Sequence, residues 1–159
     1  MKPKRVLVPL DGSTLAEAVL DTTIELARDG ATPVLVRAAE ARNLVGDPVA
    51  AQVAVVHEAE QYLAGIAERL RRAGVGSVET CVWYGPAAAA IVEAARARQA
   101  DLILMSTHGR SGLGRLVLGS VAESVLRGTR TPIYLLRPAE APVAAVPGSG
   151  ARPAEASHV

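Results

Sequence analysis

Gly109, Arg110, Gly112, Gly114, Arg115 and Gly119 fall in one short stretch, with His108 before them and Ser120 after them. Glycines let backbone N–H groups come close to a ligand with no Cβ in the way. The arginines and His108 add positive charge and hydrogen-bond donors. The run Asp101–Met105 before this stretch is apolar and reads as a buried strand. The segment 120–126 after it reads as a helix, with Ser120 placed as its N-cap. A strand, a glycine-rich basic loop and a helix start together form a cradle for phosphate. Two other phosphate loops are excluded by spacing. A P-loop needs Gly-Lys-Ser/Thr at its end, whereas Gly119 is followed by Ser120 and Val121. A dinucleotide fingerprint through Gly112 and Gly114 needs glycine at position 117, which is Val117.

Asp11 is the second residue of interest. It follows the apolar run 5–10, at the carboxyl end of a predicted strand, which is the ligand side of an open parallel sheet. It can contact a ligand there, or simply start a turn before a helix, where an acidic side chain is favoured anyway. Arg110 lies next to Gly109, within reach of terminal phosphates; Arg115 reads equally well as a solvated charge. No catalytic pair is visible. His108 has no Asp or Cys near it in sequence, and His57 and His158 have no metal-ligand spacing. Ser13, Ser106, Ser111 and Ser120 sit in no G-x-S-x-G elbow. Cys81, the one cysteine, lies in an apolar stretch and reads as a buried inert thiol. Glu123 and Arg127 are four apart on a helix and read as a surface pair.

These residues need elements to hold them. Strands are predicted at 5–10, 32–38, 77–83, 101–106 and 132–136, each rich in β-branched or aliphatic residues. Between them lie four predicted helices: 13–30 with Ser13 as N-cap, 49–73, the Ala-rich 87–99, and 120–127. In the second, Val53, Val56, Ala59, Leu63, Ile66 and Leu70 share one face. Strand–helix alternation implies an α/β fold, an open five-stranded parallel sheet with helices on both faces. Right-handed crossovers suggest a Rossmann-like order 3-2-1-4-5, with a crevice between strands one and four, where Asp11 and the Gly109 loop meet.

The residues 106–120 resemble the nucleotide loop of the universal stress protein family, written G-x-x-G-x(9)-G-[STN]. Gly109, the nine residues after it, Gly119 and Ser120 match; Ser106 stands where the motif has its first glycine. The opening 5–13 is similar to the family's first strand and acidic turn, and 131–136 to its last strand. The resemblance covers about residues 2–138. It implies an adenine-nucleotide site for ATP, ADP or AMP, with Mg²⁺ as an accompanying option. Carried over residue by residue, that site comprises Pro9, Leu10, Asp11, Ala38, Met105, Ser106, His108, Gly109, Arg110, Gly119, Ser120, Val121 and Ala122. Alignment at Ala38 can slip to Arg37 or Ala39. The family's function is binding in the stress response, with at most slow ATP hydrolysis; a nucleotide-free dimeric scaffold is the alternative. A homodimer through strand 132–137 is also implied.

Composition agrees with this class. The chain has 159 residues, enough for one domain over 1–138. It has no Phe and one Trp, so its core must be Leu, Val, Ile and Ala. A net charge of +1 offers no field to recruit nucleic acid or an anionic membrane. The basic start is followed by too short an apolar run for a secretory signal, and no run is long enough to span a bilayer, so a cytoplasmic location is expected. From 139 to 159 Ala, Pro and Gly dominate without apolar periodicity, which predicts a disordered tail.

Overall fold

The computed structural model describes residues 2–40, 46–107 and 118–138. Its elements are β1 (Arg5–Pro9), α1 (Thr14–Glu17), α2 (Leu20–Arg28), β2 (Thr32–Ala39), α3 (Pro48–Arg72), β3 (Glu79–Tyr84), α4 (Ala87–Ala97), β4 (Leu102–Ser106), α5 (Ser120–Gly128) and β5 (Ile133–Leu136). The strands form one parallel sheet in the order β3-β2-β1-β4-β5, the order predicted from the alternation. Among the described residues, no helix is long and apolar enough to cross a membrane.

Period-two alternation sends the strand side chains to two cores. Val6, Val8, Leu35 and Leu104 pack under α2 and α3, with Leu20, Leu63, Ile66 and Leu70. Leu7, Val34, Val36, Ile103 and Met105 pack under α4 and α5, with Ile91, Ala94, Ala122 and Val125. Buried on both faces, the central strands read as unbroken aliphatic runs. The small residues of α4, Ala90, Ala94 and Ala95, bring that helix close to the sheet in a core without phenylalanine.

Three helical expectations need correction. The segment predicted as one helix from 13 to 30 is two, α1 and α2, so the described residues hold five helices rather than four. The ladder tightens at Ala18, whose N–H donates to Leu15 C=O three residues back at 3.3 Å. Val19 and Leu20, at the junction of α1 and α2, are both buried. Second, the predicted apolar face of α3 is buried only from Ala59 onward; Val53 is 63% exposed. A helix of 25 residues is about 37 Å long, whereas the longest strand, of 8 residues, spans about 26 Å, so the start of α3 overhangs the sheet. Third, Ser120 is not the N-cap of α5. Gly119 is, and Ser120 is the first helical residue.

Three helices end in the same way. Ala31, Val75 and Ala100 each donate an N–H to a carbonyl five residues back, at 3.0, 3.0 and 2.9 Å, after a residue with positive φ. At the first two caps that residue is glycine, Gly30 and Gly74; at the end of α4 it is Gln99, with φ 51°. A side chain in this left-handed region costs about 1–2 kcal/mol, partly offset by the larger chain entropy of glycine. Gln99→Gly is therefore expected to stabilise the domain by about 0.5–1 kcal/mol in denaturant unfolding; a loss of stability would contradict the cap assignment.

Candidate functional site

The sheet opens where β1 meets β4. The two strands register only at Val6↔Leu102 and Leu7↔Ile103, whereas β1 stays paired with β2 as far as Pro9↔Val36. Pro9 supplies a reason. The Leu10 N–H points to β2, donating to Val36 C=O at 2.9 Å, so the preceding residue faces β4. That residue is proline, which has no N–H to give. Helices α1 to α3 cover one face and α4 and α5 the other. The split therefore falls at the topological switch point, at the carboxyl ends of the strands.

A cavity of about 440 Å³ occupies this opening. That is within the usual range for small-molecule sites. Pro9, Leu10, Asp11, Ala38, Met105, Ser106, Val121 and Ala122, all proposed from the sequence, line it together. Gly119 and Ser120 are described at the start of α5 but are not among the lining residues. His108, Gly109 and Arg110 lie outside the described residues, as do Ser111, Gly112, Gly114 and Arg115. Of the three alignments at strand two, Ala38 lines the cavity; Ala39 is buried, and Arg37 turns to the opposite face, toward α3.

Six further residues line the cavity: Ala16, Val36, Glu40, Gly85, Ala87 and Ile91. Val36 and Glu40 were within reach of sequence reasoning, because strand residues two apart share a face and Ala38 was already placed. Gly85 carried a signal too, as the turn after the third strand. Its φ of 132° requires glycine, and its N–H donates to Ala39 C=O at 2.9 Å. Ala87 and Ile91 on α4 have no chemical feature that marks them.

The turn after β1 is held from within. Asp11 Oδ1 accepts the Ser13 N–H at 2.9 Å, and Ser13 caps α1 by accepting the Ala16 N–H at 3.0 Å. Asp11 thus serves the turn and lines the cavity with one carboxylate. Gly12 has φ 87°, and a Cβ there would meet the Arg37 guanidinium at 3.7 Å. Arg37 pairs with Glu58 at 3.1 Å and stacks over the Tyr62 ring at 4.8 Å. The Tyr62 hydroxyl donates to Glu17 at 3.0 Å, and Arg69 holds the other Glu17 oxygen at 2.6 Å. Burial, then the hydrogen bond to the Glu17 carboxylate, push the Tyr62 phenol up to about 12. At neutral pH it is a fixed donor that braces the turn from behind, not an acid–base group.

The far wall is the start of α5. Gly119 has φ −55° and ψ 149°, a conformation open to any residue, and as a glycine it has no side chain to cap the helix. The first backbone bond is Glu123 N–H to Gly119 C=O at 3.0 Å. The earlier N–H groups, at Ser120, Val121 and Ala122, have no acceptor within the helix. They carry the positive end of its dipole, which suits an anion. Ser106 ends β4; Gln99 is the sole non-glycine with positive φ among the described residues, so serine fits at 106 without strain. Cys81 is buried, and burial raises its thiol pKa, in keeping with an inert core residue. His57 sits on the exposed side of α3, 2.9 Å from Gln61, and Glu123 pairs with Arg127 on α5. No cluster of three or more His, Cys, Asp or Glu able to hold a metal occurs among the described residues.

The family model for the universal stress protein family matches residues 2–137. The chain belongs to the universal stress protein family. A putative universal stress protein of Staphylococcus aureus is 32% identical over 144 residues, covering 87% of each chain. A solved structure from the family, from Burkholderia pseudomallei, shares 32% identity with a TM-score of 0.68, covering 86% of this chain and 96% of that one. A universal stress protein solved in complex with cAMP has a TM-score of 0.61 at 24% identity, covering 86% of this chain and 98% of that one. This universal stress protein therefore shares its fold with a chain that holds an adenine nucleotide.

Proposed function

We propose that the cavity between β1 and β4 binds an adenine nucleotide, and that the protein acts as a cytoplasmic nucleotide-binding module in the stress response. The observation that carries this reading is the first turn of α5, whose N–H groups have no acceptor within the helix, at one end of a cavity that is aliphatic at the other. A polyanion suits the N–H groups of residues 120–122, and a flat base suits Val36, Ala38 and Ile91. Asp11 and Ser106 lie between the two ends, at the tips of β1 and β4, where a ribose would fall. Gly109 and Arg110 complete the phosphate loop in this reading. Asp11 is suited to share Mg²⁺ with the phosphates, since that ion favours one or two carboxylates plus phosphate oxygens. Denaturing the purified protein and identifying released nucleotide by chromatography tests the reading. AMP, ADP, ATP or cAMP in the supernatant supports it. A nucleotide-free protein that also fails to take up ATP would leave the dimeric scaffold as the better account.

Ser106 departs from the family motif, and its φ permits serine. Ser106→Gly is expected to change ATP affinity by less than about tenfold, or about 1.4 kcal/mol. Trp83, the one tryptophan, is the cross-strand partner of Ala38, so its fluorescence is a convenient readout. A gain of about a hundredfold in the glycine variant would mean that Ser106 obstructs the site.

The same reading includes a homodimer through β5. Among the described residues this strand pairs with β4 alone and is a sheet edge, with Tyr134 exposed on it. An uncovered edge offers unpaired N–H and C=O groups to another chain. Light scattering should give a dimer mass at micromolar concentration; a monomer mass would refute this.

A further inference from the structure

The helix α1 follows β1 and reaches β4, so it sits at the split in the sheet. It is a single turn in which no residue is fully buried. One turn of helix does not hold itself, because it fixes several residues for one hydrogen bond. Yet Ala16 of α1 lines the cavity, and the turn before α1 carries Asp11. The position of this wall therefore leans on polar contacts. At its start, Asp11 accepts the Ser13 N–H at 2.9 Å, and Ser13 accepts the Ala16 N–H at 3.0 Å. The Glu17 N–H donates to the Ser13 carbonyl at 3.1 Å, tying the two ends of α1 together. At its end, the Glu17 carboxylate is held from α3 by the Tyr62 hydroxyl at 3.0 Å and by Arg69 at 2.6 Å. The two donors are not equivalent. Arg69 is exposed, and an ion pair in water contributes little. Tyr62 is half-buried, and the Arg37 guanidinium stacks over its ring at 4.8 Å. Arg37 in turn backs Gly12, the residue after Asp11. One ring on α3 thus meets both the end of α1 and the cation behind the Asp11 turn.

We propose that Tyr62 is a positioning residue of the nucleotide site: through Glu17 it sets α1 and, with it, the placement of Asp11 against the ligand. The inference rests on the nucleotide reading and deepens it. Tyr62 is not among the described lining residues, so its effect on binding passes through the groups it holds. A contact such as that of Asp11 is productive only when its support fixes it to a fraction of an ångström.

The test is a double-mutant cycle on ATP affinity, read by calorimetry. Tyr62→Phe removes the hydroxyl and keeps the ring, so the stack with Arg37 remains. In the parent it should weaken ATP binding by about tenfold, the size expected for a lost hydrogen bond to a charged acceptor. Asp11→Asn supplies the second background: its amide oxygen can still accept the Ser13 N–H, but the charge toward the ligand is gone. There Tyr62→Phe should cost less than about twofold, because the contact it serves has been weakened already. A merely structural loss would be equal in both backgrounds. Glu17→Ala should lose as much affinity as Tyr62→Phe. Glu17→Gln, whose amide oxygen still accepts from Tyr62, should recover most of it. Equal losses from Tyr62→Phe in the two backgrounds would overturn the assignment. So would unchanged affinity in the Tyr62→Phe single variant, and in either case the nucleotide site would stand. If the parent binds no ATP, the nucleotide reading fails and this assignment fails with it.

Discussion

Gly119→Val should weaken ATP binding by at least about a hundredfold, equivalent to about 2.7 kcal/mol, while leaving the domain folded. The backbone at Gly119, with φ −55° and ψ 149°, accepts valine without strain, so glycine is not required for the fold. In the nucleotide reading, glycine leaves the approach to the N–H groups of residues 120–122 clear of a Cβ. A branched side chain there would stand where phosphate oxygens approach. The stability cost should be small: glycine is a better N-cap than valine, by about 1 kcal/mol. ATP at about 100 times its dissociation constant should add about 2.7 kcal/mol to the parent and almost nothing to the variant. A folded valine variant that binds like the parent would place the phosphates elsewhere.

The largest effect on stability should come from Leu63→Ala, with a loss of about 2–5 kcal/mol. Leu63 is 0% exposed and anchors α3 in the core beneath β1, β2 and β4. Alanine would leave a cavity that the surrounding aliphatics fill only in part. Val53, on the same helix and predicted for the same face, is 63% exposed. Val53→Ala should change stability by less than about 0.5 kcal/mol. Urea denaturation of both variants separates the cases. Equal losses would mean that the overhanging part of α3 is packed against something, contrary to the structure.

That pair also shows where sequence reasoning reaches its limit. Helical periodicity says which residues share a face, but not how far the sheet beneath them extends. So the run from Val53 to Leu70 predicts one buried stripe, and only the part from Ala59 onward has a sheet to bury it. The sheet order was legible because strands alternate with helices and crossovers have one hand. The break between α1 and α2 was not, because no proline or glycine marks it. At the site, Asp11 and the start of α5 were legible from turn chemistry and glycine spacing, and Ser106 only from the resemblance to the family's loop motif. The N-cap shifted by one residue because Gly119 and Ser120 both suit it. Val36 and Glu40 follow from Ala38 by strand period. Ala87 and Ile91 become lining residues only once α4 is laid across the sheet.

The most direct test of the central claim is a calorimetric titration of the purified, nucleotide-free protein with ATP and with GTP, each with Mg²⁺. Saturable heat with ATP, a smaller response to GTP, and a thermal midpoint that climbs with ATP concentration are the predicted results. No heat and no thermal shift with ATP at about 1 mM, a level where even binding of about 4 kcal/mol would register, would contradict it.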